Sequence, residues 1–214
     1  MDYARYKELV NKFYENDNRE ENYQNRVLIP FLEDLFEKKV DVVDTSQLTK
    51  EWNFRNIKRK KFAGNYTPDI LLAKNWVLKK KRTRDNTRYL ALIDVKTPSA
   101  NDRKHAMNEV EEYLTKVNLV ILTDCVTWEF FMLESGKRKR KIKQISLEKT
   151  CKEKIRVQNK RYKTRRVFNL VEFDFPQNVC ERKGDYKIHW KDDVDSWGEL
   201  IEFLRKNILC YDER

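Results

Sequence analysis

Along residues 3 to 16, "YARYKELVNKFYEN", the apolar positions Tyr6, Leu9, Val10, Phe13 and Tyr14 recur at intervals of three and four, which predicts an amphipathic helix. "NDN" breaks the pattern. A second helix follows in "REENYQNRVLIPFLEDLFEKK", with Val27, Phe31 and Leu35 on one stripe and Leu28, Leu32 and Phe36 beside it. Pro30 lies inside it and predicts a kink, because proline lacks an N–H and crowds the carbonyl one turn earlier. The texture then changes. "QLTKEWNFRNI", "YTPDILLAKN" and "RYLALIDVKT" predict β-strands, the last most strongly. Helical spacing returns in "NDRKHAMNEVEEYLTKV" through Ala106, Met107, Val110, Tyr113, Leu114 and Val117. "NLVILTD" and "TWEFFML" predict two further strands joined at "DCV". After Gly136 the periodicity weakens, until "VFNLVEFDF" predicts a strand and "DVDSWGELIEFLRKNIL" a helix capped by Asp195 or Ser196, with Trp197, Leu200, Ile201, Leu204 and Ile208 buried.

Helix, three strands, helix, two strands is the order of an α/β fold, with a central mixed sheet of about five strands flanked by helices. The pattern divides the chain into a core over residues 1–135 and an additional basic and helical part over 136–214, packed on the core. No run approaches the ~20 apolar residues needed to span a bilayer, and the amphipathic start "MDYARYKELV" is no export signal, so a soluble cytoplasmic protein with no membrane partner is expected. Cys125, Cys151, Cys180 and Cys210 stand singly, without the close Cys or His pairs that supply zinc ligands, and predict free thiols. There is no glycine-rich phosphate loop and no partner set for a Ser/His/Asp triad.

Charge changes the picture. The net charge of +11 is concentrated in residues 137 to 166, which hold fifteen Lys and Arg against two Glu, while the rest of the chain is slightly acidic. Two smaller clusters are "KRKK" at 58 to 61 and "KKKRTR" at 79 to 84. Concentrated positive charge attracts a polyanion by releasing its counterions, so a nucleic acid is the expected partner. A solvated lysine-rich surface, or a tail for an acidic protein, is the competing reading.

Two strand ends carry candidate chemistry. Residues two apart on a strand face the same way, so Asp94 and Lys96 of "DVK" point together while Val95 points away and leaves its carbonyl available. If the "PDILL" and "LALIDVK" strands are antiparallel neighbours, Asp69 approaches Asp94. Two carboxylates, a carbonyl and waters form the hard oxygen set that Mg²⁺ prefers. Mg²⁺ at that point polarises a phosphodiester, and Lys96 positions the attacking water or stabilises the charge that develops on phosphorus.

These residues resemble the PD-(D/E)xK nuclease superfamily, and more closely the N-terminal nuclease domain of type I restriction enzyme R subunits, over about residues 20 to 147. "EENYQNRVLIPFL" is similar to the family's opening helix, with Glu20 as its glutamate when Pro30 is the reference and Glu21 as the rival; Gln24 stands where an arginine is common. Pro68 and Asp69 match the "PD" strand, and Asp94, Lys96, Thr97 and Pro98 match the (D/E)xK strand and the "TP" after it. Glu109 replaces the family's frequent glutamine one turn before Tyr113, and "NLVILTDCVTWEFFML" resembles the closing strands.

The resemblance implies a restriction-endonuclease-like core and a Mg²⁺-dependent DNA endonuclease of restriction or mobile-element type, with Mn²⁺ as a substitute cation. Asp69, Asp94, the Val95 carbonyl and Glu20 would hold metal, Lys96 would organise the attacking water, and Tyr113 is expected in the core. Lys58, Arg59, Lys60, Lys61, Lys80, Lys81 and Arg82 are the expected nucleic-acid contacts. The R subunit's motor is absent from this sequence, which leaves a stand-alone nuclease, a homodimer, a subunit with partners or an excised domain. A catalytically inactive nucleic-acid-binding protein of the same fold is the alternative, as is a junction resolvase or transposase endonuclease subunit.

Overall fold

The computed structural model describes residues 1–45, 66–76, 87–134, 138–159, 167–182 and 187–209. The strand expected in "QLTKEWNFRNI" lies outside them, as do Lys58, Arg59, Lys60, Lys61, Lys80, Lys81 and Arg82.

Helix α1 (Tyr3–Asn16) starts at Asp2, whose side chain accepts the Arg5 N–H and satisfies one orphan donor of the first turn. It buries Tyr3, Tyr6, Val10 and Phe13. The second helix is not kinked within an α-helical run. It is assembled from α2 (Glu20–Tyr23), a π-helical turn (Gln24–Leu28) and α3 (Ile29–Phe36). Ile29 donates to the Gln24 carbonyl five residues back, so the chain widens by one residue just before Pro30, where a donor is missing. The left-handed residues Glu37 (φ 47°) and Lys38 (φ 63°) then turn the chain out of α3.

Among the described residues six strands form one sheet in chain order: β1 (Asp41–Asp44), β2 (Ile70–Lys74), β3 (Arg88–Val95), β4 (Leu119–Thr123), β5 (Thr127–Glu134) and β6 (Arg138–Ser146). Only β3 and β4 pair in parallel, because α4 (Arg103–Tyr113) crosses between them; the other pairs are antiparallel. The architecture is therefore α/β with a mixed sheet, one strand wider than expected. The short β1 gave no signal in the sequence.

Both faces of the sheet are covered. Ile70, Leu72, Ala91, Ile93, Ile121, Trp128 and Phe130 pack with α1, α3 and α5 (Asp195–Leu209), whereas Leu71, Leu92, Val120, Leu122 and Phe131 pack with Ala106, Val110 and Tyr113 of α4. That double cover explains why β2, β3 and β4 read as continuous apolar runs and do not alternate.

Within the basic stretch after Gly136, the described residues 138–159 are largely β-structure. Its first part is β6, hydrogen-bonded to β5 from Thr127↔Ser146 to Glu134↔Arg138, so the division expected at 135–136 falls between two adjacent strands of one sheet. Its second part is β7 (Cys151–Asn159), which pairs with β8 (Val167–Phe175) in a separate two-stranded ribbon. Many of its cations have carboxylate partners: Lys139 with Glu111, Lys141 with Glu129, Lys143 with Glu199, Lys149 with Asp192 and Lys152 with Asp174. Among the described residues no helix is long and apolar enough to cross a membrane. Cys125, Cys151 and Cys180 are free thiols.

Helix α5 closes the core from the far end of the chain. Trp197 stacks on Tyr3 at 5.4 Å and tilts against Tyr6 at 4.8 Å and Phe31 at 5.0 Å. Burying a large aromatic among other rings makes its removal costly, so Trp197→Ala should lower stability by about 3–5 kcal/mol, read from urea unfolding. A loss below about 1 kcal/mol would show that α5 is dispensable to this core.

Candidate active site

The register of β2 and β3 builds the site. Ile70 lies opposite Ile93, so Asp69, one residue earlier, meets the end of β3. Its backbone N–H donates to the Ile93 carbonyl at 3.1 Å, and its Oδ2 accepts the Val95 N–H at 2.7 Å. The Pro68–Asp69 corner is pinned from behind. Thr45 donates its N–H to the Asp69 carbonyl at 3.0 Å and its hydroxyl to the Pro68 carbonyl. Gln24, buried in the π-helical turn, donates through Nε2 to the Asp69 carbonyl at 3.0 Å and to Asp44 Oδ1 at 2.8 Å.

Asp94 and Lys96 do point together. Asp94 is 2% exposed and its Oδ2 lies 2.9 Å from Lys96 Nζ, while the Val95 side chain is buried with the opposite set of core residues. The Lys96 N–H donates to the Thr123 carbonyl at 2.8 Å, which carries the β3–β4 pairing one residue past the strand and fixes the lysine's root. Glu109 of α4 completes the arrangement, with Oε2 3.0 Å from the same Nζ and Oε1 3.4 Å from His105 Nε2.

The electrostatics follow from burial. Asp69 is pushed up to about 6 by desolvation and by the charges of Glu20 and Glu109, against the pull of the Val95 N–H and Lys96. Asp94 is raised well above the usual carboxylate range by burial first, with Asp69 and Glu109 adding to it and Lys96 opposing. Burial works against the Lys96 ammonium, but Asp94 and Glu109 outweigh it and raise its pKa. Glu20 is exposed as a residue at the start of α2, yet its carboxyl end is desolvated enough to be raised, with Lys96 and the Thr97 N–H opposing. Of the two candidate helix carboxylates, Glu20 is one whose charge acts on Asp69.

Three buried oxygens in this cluster lack an aligned hydrogen-bond partner: Asp94 Oδ2, Glu109 Oε2 and the Tyr113 hydroxyl. Asp94 Oδ2 and Glu109 Oε2 still face the Lys96 ammonium at 2.9 and 3.0 Å; what fits a small hard cation is the donor set itself, since two carboxylates with a backbone carbonyl suffice for Mg²⁺, which keeps several waters. Among the described residues, however, no three His, Cys, Asp or Glu side chains are gathered closely enough to hold a metal by themselves. Asp69, Asp94 and the Val95 carbonyl remain the candidate ligands, with Glu20 feeling the charges of Lys96 and Glu109 from the start of α2.

Sequence reasoning missed two contributors. Glu109 was legible as a charge inside an apolar stripe, three residues after Ala106 and four before Tyr113. The second is the segment after β8, which no local pattern marks: Val179 and Cys180 pack on the α4 side of the sheet, and burial pushes the Cys180 thiol up to about 11 despite nearby Lys96.

A raised carboxyl pKa stabilises the fold when protonated. For Asp69 that stability is complete below 3.8 and is lost as pH rises through about 6, and Asp94 extends the loss to higher pH. In EDTA, the urea midpoint should therefore fall as pH is raised from about 4 to about 6, and Asp69→Asn should flatten the fall; an unchanged slope in the variant would contradict the assignment. No family model, no curated protein and no solved structure matches this chain.

Proposed function

We propose that this chain is a Mg²⁺-dependent endonuclease that hydrolyses DNA phosphodiester bonds, of restriction or mobile-element type. One observation carries the reading: adjacent antiparallel strands bring Asp69 to the end of β3, where Asp94 holds the Lys96 ammonium at 2.9 Å. Asp69, Asp94 and the Val95 carbonyl would hold the cation, with Glu20 assisting from α2. When bound, Mg²⁺, or Mn²⁺ in its place, supplies positive charge that polarises the scissile phosphate.

The protein's own groups do the rest. Lys96, kept charged by two carboxylates, stabilises negative charge as it grows on the phosphoryl oxygens and orients the attacking water through its N–H donors. The Val95 N–H fixes which oxygen of Asp69 faces the site. Thr45 and Gln24 hold the strand corner so that Asp69 does not have to be ordered on substrate binding. Without a cation the cluster carries more acids than bases and repels a phosphate, which is why a metal belongs to the reading.

A second reading has its own support. The described acids do not form a three-ligand cluster, as a protein that keeps the fold and binds nucleic acid without cutting it could also show.

Supercoiled plasmid separates the two. Nicked or linear product should form with Mg²⁺ and not with EDTA, and Asp94→Ala or Lys96→Ala should slow it by roughly 100-fold or more. Undiminished cutting by both variants would remove these residues from the active site. If the unaltered protein cuts no supercoiled, relaxed or single-stranded DNA, the binding reading stands instead.

A further inference from the structure

We propose that Glu109 is a positioning residue which keeps the Lys96 ammonium in the active site once Asp94 faces a divalent cation, and that His105 fixes Glu109 for this task. The inference rests on the nuclease reading and concerns a position where the chain departs from the pattern it resembles, an acid in place of an amide.

Three observations converge. Glu109 is only 8% exposed within the apolar stripe of α4, a costly place for a carboxylate unless it is paired. Its two oxygens reach different bases: Oε2 lies 3.0 Å from Lys96 Nζ, and Oε1 lies 3.4 Å from His105 Nε2, one helical turn earlier. The Tyr113 hydroxyl, one turn later, is fully buried without a hydrogen-bond partner and senses the charges of Asp94, Glu109 and Asp69.

The need for such a residue is electrostatic. Asp94 Oδ2 and Glu109 Oε2 flank one ammonium almost symmetrically, at 2.9 and 3.0 Å. A divalent cation on Asp94 competes for that carboxylate and repels the lysine in a poorly screened interior. With Asp94 as its sole partner, Lys96 would swing out; a second full charge on a different element holds it while Asp94 is occupied. A neutral glutamine accepts a hydrogen bond but does not offset that repulsion. His105 is half-exposed, its ring meets Tyr66 edge-on at 5.3 Å, and it holds the far oxygen of Glu109 so that the near one faces Lys96.

The test is a double-variant cycle on the full chain. Glu109→Gln should lower kcat by roughly 10- to 100-fold while KM for DNA stays within about 2-fold, since geometry at the reacting atoms is lost and DNA contacts are not. In a Lys96→Ala background it should cost nothing further. His105→Ala, which sits at the surface and should not impair folding, should lower kcat by less, and only while Glu109 is present. Wild-type kcat in Glu109→Gln, or losses that multiply in the double variant, would overturn the proposal.

A second measurement does not depend on cleavage. Urea midpoints of Lys96→Met, Glu109→Gln and the double variant should be non-additive if the two side chains are partners, and additive midpoints would overturn the proposal. Non-additive midpoints in a protein that cuts no DNA would overturn the nuclease reading and, with it, the catalytic purpose given to this contact.

Discussion

Buried carboxylates gathered around a single ammonium form the constraint to which the rest of this molecule answers. Asp94 and Glu109 both lie within ion-pair distance of Lys96, and Asp69 approaches from the neighbouring strand. Burial first, and then the neighbouring acids, raise Asp69 and Asp94, while Asp94 and Glu109 outweigh burial to keep the lysine charged. Each partner comes from a different element, so the cluster exists only while β2, β3 and α4 keep their places. The Thr45, Gln24 and Lys96 hydrogen bonds at the ends of these elements serve that end.

The C-terminal third is bound into the same arrangement. Glu129 of β5 is fully buried and is met by Arg103 at the start of α4 and Lys141 of β6. Arg182, equally buried, joins Asp124 in the β4–β5 turn to Glu148 after β6. Between these pairs the segment around Cys180 lies against the α4 side of the sheet. Stripping such charges from water is expensive, and the pairs specify where the late segment docks more than they add to stability. Within the basic stretch, Lys139, Lys141 and Lys143 are paired with carboxylates at the sheet surface, which leaves less of its charge for a polyanion than the bare count of lysines suggests.

Individual residues show how far the chain could be read. Helix α4 was visible because Ala106, Val110 and Tyr113 repeat with the helical period, and β3 because "LALIDV" is an apolar run with both faces covered. The π-helical turn was not visible. Pro30 announced a disturbance, but whether the chain kinks or widens depends on what Gln24 and Val27 can pack against. Strand β6 was hidden because lysines mask its period, and it becomes a strand through pairing with β5 and through acids on α4, β5 and α5. Glu109 was visible only as an anomaly in its stripe.

The sequence by itself determined the α/β class, most of the helices and strands, and the pairing of Asp94 with Lys96 on one side of a strand. Those properties follow from local periods and from the two-residue repeat of extended backbone, which need no partner to be known. Only the tertiary structure decided that Asp69 meets β3, that Glu109 shares the lysine with Asp94, and that a segment beyond residue 175 lies on the α4 side of the same sheet. These contacts join residues far apart in the chain, and their energies are differences between desolvation and pairing that exist only once the elements have packed.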